Sequence, residues 1–214
     1  EAYYHEALTL VAKKMQATAS KYWPNHIGVS ISDRYTNEEA YAIKTMAEAI
    51  GAKIFCANNR QSGIKEVIGH DASPNTIDEL LSTDFILVVG YNAVDNPIIQ
   101  IKIKQATDNG AKLALVNPAE FPQHMANVSK TVYAEDLGFL KQVAKAIIDA
   151  GKGADIAGYD ELAKALSGVT VGEDAKEIAD MYMNAGKAMI VFNQNLVSVD
   201  TARLIGDIAL LSGH

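Results

Sequence analysis

Hydrophobic and polar residues along the chain form two kinds of pattern. Short apolar runs predict strands, and apolar residues that recur every three or four positions predict amphipathic helices. Helical patterns separate most of the predicted strands, which are Ile27–Ile31, Lys53–Ala57, Phe85–Val89, Lys112–Asn117, Thr131–Tyr133 and Ala188–Phe192. This order predicts an α/β fold in which parallel sheets are flanked by helices.

The central stretch of the chain runs from Phe85 to Pro97. Its apolar run is typical of a strand covered on both faces, since neither side carries a polar group. Gly90 permits a sharp turn, and Pro97 suits the first position of a helix. Asn92 and Asp95 are therefore predicted at the C-terminal edge of a strand, where open α/β sheets bind ligands. A turn followed by a helix cap is the alternative interpretation of these two residues.

Amide side chains also follow other predicted strands. Asn117 ends one strand, and Asn193, Gln194 and Asn195 follow the last one. Amide groups both donate and accept hydrogen bonds. Strand ends rich in amides therefore suit a neutral heterocycle better than a bare phosphate.

Composition narrows the classes of function. A net charge of −7 without a basic run argues against a nucleic-acid partner. No apolar run approaches the roughly 20 residues of a membrane helix, so direct membrane insertion is not expected. The start lacks a signal-peptide pattern, which favours a cytoplasmic protein, either free or peripheral to a membrane complex. The absence of an initial Met and the ending at Leu-Leu-Ser-Gly-His suggest a piece of a longer polypeptide.

Cysteine and histidine residues give no sign of a reactive centre. Cys56 is the single cysteine, which excludes an internal disulfide and a Cys-rich metal site. His70 beside Asp71 allows an acid/base pair, but an exposed loop histidine is the simpler interpretation. No Gly-x-Gly-x-x-Gly follows a strand, and there is no nucleophile elbow. We therefore expect neither a catalytic residue nor a metal ligand in this chain.

Several motifs occur in one order along nearly the whole chain. They are Ser32–Tyr41, Asp84–Pro97, Gly110–Pro118, Ala134–Leu140, Ser167–Val169 and Ile208–Gly213. Their order resembles the molybdopterin oxidoreductase family. That family includes the large subunits of formate dehydrogenases and the large iron–sulfur subunit of NADH:quinone oxidoreductase.

The resemblance implies Rossmann-like parallel sheets in two interleaved lobes. Residues 1–57 and 187–214 correspond to a split α/β lobe, and residues 58–186 to a Rossmann-like lobe inserted between its halves. In the family, such lobes flank a cleft that holds molybdopterin guanine dinucleotide. The resemblance implies that Asn92, Asp95 and Asn117 contact the nucleotide. The strand ends add Gly90, Asn193 and Asn195 to the predicted cofactor-binding residues.

The chain departs from the family pattern at several places. Asn193-Gln194-Asn195 replaces the usual glycine-containing turn, and neither a cysteine nor a serine is present where a metal-ligating side chain is expected. Asn117-Pro118-Ala119 stands where the family has Asp-Pro-Arg, and Asn58-Asn59-Arg60 stands where it has Cys-Ala-Arg-x-Cys-His.

Three hypotheses on function remain. The first is a scaffold or pterin-cofactor-binding domain in an NADH dehydrogenase-like oxidoreductase, and the second is the molybdopterin guanine dinucleotide-binding part of a formate dehydrogenase-like enzyme. The third is a free-standing nucleotide-binding domain.

The first two hypotheses place this chain inside a larger assembly. Its partners would be other domains of the parent subunit and other oxidoreductase subunits. Iron–sulfur clusters would lie only in parts of the parent outside this chain, because the chain supplies no set of thiolates to hold one. The isolated chain is therefore not expected to be an active enzyme.

Overall fold

A computed structural model describes residues 2–32, 35–56, 62–70, 72–92, 94–118 and 127–214. The chain divides into two compact units, which we call the amino-terminal unit (Glu1–Gln61) and the carboxy-terminal unit (Ser62–His214). Each unit has its own parallel sheet. The prediction of an α/β fold with parallel sheets is confirmed.

The amino-terminal unit is a strand–helix–strand arrangement preceded by a long helix. Its elements are α1 (Tyr4–Tyr22), a 3₁₀ turn (Pro24–His26), β1 (Gly28–Ile31), α2 (Asn37–Ile50) and β2 (Lys53–Cys56). Strands β1 and β2 pair in parallel, and α2 connects them. Thr36 starts α2 with a capping box: its hydroxyl accepts from the Glu39 N–H at 3.2 Å, while its own N–H donates to the Glu39 carboxylate at 2.9 Å.

The carboxy-terminal unit contains the predicted central strand and most of the helices. Its strands are β3 (Phe85–Val89), β4 (Lys112–Asn117), β5 (Lys130–Tyr133) and β6 (Ala188–Phe192). Its helices are α3 (Ile64–Ile68), a 3₁₀ helix (Ile77–Ser82), α4 (Pro97–Asp108), α5 (Asp136–Asp149), α6 (Tyr159–Ala165), α7 (Glu173–Asn184) and α8 (Val199–Ser212).

Four parallel strands form the sheet of this unit in the order β5-β4-β3-β6. Every residue of β3 is buried, as its uninterrupted apolar run predicts. Val89 of β3 is level with Val116 of β4 on one side and with Phe192 of β6 on the other. The C-terminal ends of these three strands therefore lie side by side.

Two apolar clusters cover the two faces of the sheet. Helices α5, α7 and α8 pack on one face around Leu87 and Val89. Helix α4 and the 3₁₀ helix pack on the other face around Ile86 and Val88. Burial on both sides accounts for the absence of polar residues in β3.

The position of β6 bears on the predicted division into lobes. The predicted split lobe groups residues 187–214 with residues 1–57, whereas β6 pairs with β3 and α8 packs in the same core as α5. Strand β6 thus completes the described sheet of the carboxy-terminal unit, and α8 belongs to its core. The wider assignment of the chain to two interleaved lobes of a parent protein stays a prediction.

Candidate functional site

Three of the predicted site residues lie directly beyond paired strand ends. Gly90, Asn117 and Asn193 are the residues at or just after the ends of β3, β4 and β6, whose registers align. β3 leads through α4 to β4 on one side, whereas β6 joins β3 on its other side. The chain therefore changes direction across the sheet between β3 and β6, and such switch points are where open α/β sheets bind ligands.

Gly90 makes the turn that leaves β3. Its φ is +51°, in the left-handed region that glycine tolerates best. Its N–H still donates to the carbonyl of Val116 at 3.1 Å, so the turn begins while the strand is held to β4. A Cβ added here would lie 2.5 Å from Cγ1 of Val197, in the segment after β6. The backbone of Gly90 and the loop after β6 thus meet in a close contact.

Asn117 ties the end of β4 to the loop after β3. Its Oδ1 accepts from the Tyr91 N–H at 3.1 Å, and its Nδ2 donates to the Tyr91 carbonyl at 3.2 Å. The side chain is only 1% exposed. The amide thus binds both backbone groups of Tyr91 and fixes the loop that carries Asn92 and Asp95.

Asn92 and Asp95 lie in that loop, between β3 and α4. Oδ1 of Asn92 accepts from the Val94 N–H at 3.1 Å, and its carbonyl accepts from the Asp95 N–H at 3.2 Å. This is the turn that the alternative interpretation of the sequence predicted. Asp95 is exposed.

The Tyr91 side chain also holds the loop between β3 and α4 in place. Its ring is buried, and its hydroxyl donates to the Asn96 carbonyl at 2.9 Å, just before α4 begins at Pro97. Burial, with a smaller contribution from the negative charge of Asp95, raises the pKa of the Tyr91 hydroxyl to about 12. Tyr91 therefore stays neutral and acts as a structural support of the loop.

Asn193 and Asn195 form the loop after β6. Oδ1 of Asn193 accepts from the Asn195 N–H at 2.9 Å, and its carbonyl accepts from the N–H groups of Leu196 and Val197. The Asn195 side chain is exposed. Ser198 then starts α8 by accepting from the Thr201 N–H at 3.0 Å. The loop is thus closed on both sides by its own hydrogen bonds.

Sequence reasoning missed an acidic pair at this edge, Glu135 and Asp136. The Glu135 carboxylate accepts from the N–H groups of Leu137 and Gly138 and so caps α5. An oxygen of Asp136 lies 3.7 Å from where a Cβ on Gly90 would be. Burial raises the pKa of the Asp136 carboxyl. The available signal was an acidic pair directly after a short strand, at the start of a helix.

The structure brings Gly90, Asn117 and Asn193 together and presents Asp95 and Asn195 on exposed loops. Arg34, residues 58–60 and Asp71 lie outside the described residues. His70 is exposed. Among the described side chains, no group of three His, Cys, Asp or Glu residues is placed to hold a metal ion.

These features define a class of protein. An open parallel sheet, with helices on both faces and a polar edge at its switch point, is the architecture of nucleotide- and cofactor-binding α/β domains. A family model for molybdopterin oxidoreductases matches residues 2–205. The chain belongs to the molybdopterin oxidoreductase family, and the predicted family is confirmed.

Curated relatives carry the names of formate dehydrogenases. Formate dehydrogenase H of Escherichia coli is 29% identical over 99% of this chain and 34% of its own length. The F420-dependent formate dehydrogenase 2 subunit alpha of Methanococcus maripaludis is 26% identical over 100% of this chain and 36% of its own length. The chain therefore spans about a third of the length of these relatives.

Solved structures share the fold. Acetylene hydratase from Pelobacter acetylenicus superposes over 100% of this chain and 33% of its own with a TM-score of 0.78, at 15% identity. The formyltransferase/hydrolase complex of Methylorubrum extorquens gives a TM-score of 0.59 over 95% of this chain and 55% of its own, at 17% identity. Among the helices described, none has the length and apolar content that crossing a bilayer requires.

Proposed function

We propose that this chain is a cofactor-holding domain of a larger molybdopterin oxidoreductase of the formate dehydrogenase type. The edge that carries Gly90, Asn117 and Asn193 would hold the nucleotide end of molybdopterin guanine dinucleotide. The observation that carries the proposal is the register of β3, β4 and β6, which sets these residues side by side at the switch point.

The residues at this edge fit a guanine nucleoside. Asn92, Asn193 and Asn195 present neutral amides, which can both donate to and accept from a heterocyclic edge. Asp95 is an exposed acceptor for ring N–H or ribose hydroxyl groups. The left-handed turn at Gly90 carries the chain sharply out of β3, and the Val197 side chain occupies the space that a Cβ there would fill, so Gly90 shapes the edge without opening it.

In this proposal, the chain binds and orients the cofactor, while the groups that react with substrate lie in other parts of the parent protein. The cofactor, when bound, supplies a redox-active metal held by its pterin. Asn117 keeps the loop of Asn92 and Asp95 in place through its two hydrogen bonds to Tyr91. Glu135 and Ser198 fix the starts of α5 and α8, and these helix starts border the same edge.

A second candidate function is a scaffold in an NADH dehydrogenase-like oxidoreductase, in which the fold is kept and the nucleotide site is lost. The observation that favours it is the state of Asn117, whose amide is buried and already paired with Tyr91. The close contact between Gly90 and Val197 also reduces the space for a ligand beside the Gly90 backbone. The two candidates differ in whether the edge binds a nucleotide.

Nucleotide binding by the 214-residue chain tests the proposal directly. GDP is expected to raise the melting temperature while ADP is not, because a ligand that binds only the native state stabilises it. Replacing Asp95 by Ala should weaken GDP binding about tenfold, which corresponds to ~1.4 kcal/mol. The matched control is Asp155→Ala, which removes an exposed aspartate from the loop before α6. Equal GDP affinity in both variants would contradict the role of Asp95.

The pterin and metal content of the full-length parent separates the two candidates. Near-stoichiometric pterin with molybdenum or tungsten supports a cofactor-holding domain. Iron without pterin supports the scaffold. An absence of GDP binding together with pterin in the parent would leave the family function intact but move the nucleotide away from this edge.

A further inference from the structure

β6 is the outer strand of the sheet in the carboxy-terminal unit, and no strand among the described residues pairs with its outer edge. In a parallel pair, the backbone N–H and C=O groups of every second residue are directed toward the partner strand. The Phe85 N–H donates to the Lys187 carbonyl. In the observed register, the backbone groups of Met189 and Val191 are therefore directed toward β3. The backbone N–H groups of Ile190 and Phe192 are therefore directed away from the sheet.

A groove of about 410 Å³ runs along this edge. One wall comes from α3 and α8 and includes Ile68, Ile205 and Ala209. The opposite wall comes from the 3₁₀ helix, the segment before it and α4, and includes Leu80 and Ile99. The groove thus lies between the two helical layers, level with the sheet, and has the position of one further strand. We call it the edge slot.

Tight packing of α3 on α8 keeps the first wall in place. A Cβ at Gly206 of α8 would lie 3.0 Å from the Val67 side chain of α3. The Arg203 guanidinium also pairs with Glu66, so an ion pair joins the two helices at their exposed side. The first wall of the slot is therefore formed by two helices that are packed and ion-paired with each other.

The opposite edge of the sheet is protected in a way that the edge slot is not. At β5, Lys130 lies 2.7 Å from Asp174 and 2.6 Å from Glu177, which places a charged group at the strand. A charge at an edge strand discourages pairing with another strand. None of the described residues that line the edge slot is Asp, Glu, Lys or Arg. Lys187, just before β6, also lies 3.7 Å from Glu79, so the contrast concerns the slot lining, which combines apolar side chains with uncharged polar ones such as Asn75.

We propose that the edge slot accepts an extended, uncharged segment that pairs with β6 as a fifth strand and that belongs to the same longer polypeptide. Main-chain hydrogen bonds to Ile190 and Phe192 would hold it, and apolar side chains would fill the walls, as in strand addition at other sheet edges. This proposal goes beyond the cofactor role and does not depend on it.

Two observations select the occupant. A second copy of this chain is unsuitable, because its own β6 is also recessed between helices and two recessed edges cannot meet. The curated relatives carry about two thirds of their length outside the match, which supplies candidate segments.

Amide hydrogen exchange tests the proposal with an internal control. In the 214-residue chain, the N–H groups of Ile190 and Phe192 should exchange at least about tenfold faster than those of Met189 and Val191. In the full-length parent polypeptide, all four should exchange slowly. Unchanged fast exchange of Ile190 and Phe192 in the parent would overturn the proposal.

The source of the strand is tested in the same experiment. If protection of Ile190 and Phe192 appears in the parent only after a partner subunit is added, the assignment to the same polypeptide is wrong. Concentration-dependent protection in the 214-residue chain would instead identify a second copy and also overturn the proposal.

A charge in the slot gives a second test. Ala209→Glu places a carboxylate in the wall, so it should restore fast exchange of Ile190 and Phe192 in the parent. The matched control is Ala165→Glu, the same substitution at an exposed position of α6, which should leave exchange unchanged. Retained protection in a folded Ala209→Glu parent would contradict the slot as the binding surface. If that variant does not fold, the wild-type comparison still decides.

Discussion

The two units of the chain differ in how much of each is buried. In the described part of the amino-terminal unit, Ala47 is the one buried residue. Large apolar side chains of that unit are exposed, among them Tyr4 at 81% and Phe55 at 55%. The carboxy-terminal unit instead has an apolar cluster on each face of its sheet.

This difference shows that regular secondary structure and a hydrophobic core need not occur together. The amino-terminal unit keeps its helices through local interactions, such as the capping box of Thr36 and the left-handed Gly51 that ends α2. A two-stranded sheet is marginally stable on its own in water. We therefore expect most of the free energy of unfolding to come from the carboxy-terminal unit.

The largest expected effect comes from the core. Leu87→Ala removes a fully buried side chain from β3 and should lower the free energy of unfolding by about 2–5 kcal/mol. Leu8→Ala changes a half-exposed residue of α1 and should stay within about 0.5 kcal/mol. Urea unfolding followed by far-UV circular dichroism measures both. Equal losses would contradict the contrast between the units.

A smaller effect is expected at the edge of the sheet. Gly90→Val combines a positive φ with a Cβ 2.5 Å from Val197, so it should cost about 1–3 kcal/mol of stability. Gly168→Val is the control, because an added Cβ there meets no atom within 4 Å. Melting temperatures of the two variants give the comparison. A Gly90→Val protein as stable as the wild type would show that the loop after β6 can move aside.

In the amino-terminal unit, the capping box should matter more than any packed side chain. Thr36→Ala removes the acceptor of the Glu39 N–H and should cost about 1 kcal/mol of local helix stability. Faster amide exchange at the start of α2, with unchanged exchange in β3, is the expected result. Thr45→Ala, in the middle of α2, is the control and should not increase exchange. Global unfolding by Thr36→Ala would mean that the units are coupled.

The smallest expected effect concerns a half-buried carboxyl in α8. Burial raises the pKa of Asp207 from its ordinary value of 3.8, so the folded chain binds this proton more tightly than the unfolded chain. Protonated Asp207 therefore stabilises the fold relative to ionised Asp207, and this stabilisation is lost as the pH rises through the raised pKa. Asp207→Asn should raise the melting temperature at pH 7 but not at pH 3. The reverse pattern would show that Asp207 has a favourable charged partner.

Local patterns were sufficient to predict most elements of the fold. The apolar runs of β3, β4 and β6 and the proline that opens α4 are confirmed, because burial on both faces and helix starts are encoded within a few residues. The pairing of β6 with β3 was not predicted. It depends on contacts between residues about a hundred positions apart, which no local pattern reports.

The candidate site was predictable only in part. The positions of Asn92, Asp95 and Asn193 after strands follow from the same local patterns, and their role in binding stays a prediction. The pairing of Asn117 with Tyr91 spans 26 residues and converts a predicted ligand contact into a structural link. The approach of Asp136 to Gly90 depends on where α5 packs, and the packing of a helix cannot be deduced from the residue types alone.

The link between β3 and β6 also sets an order of folding. Asp84 accepts from the Lys187 N–H at 2.9 Å across 103 positions, whereas β3 and β4 are joined by one short crossover. Contacts at such long separation form slowly, because the intervening chain must first be closed into a loop. A chain growing on the ribosome can pair β3 with β4 early but must wait for Ala188–Phe192 before the sheet gains β6. Until then β3 is itself an open edge, so this interval is the stage of synthesis at which a nascent chain most needs protection from aggregation.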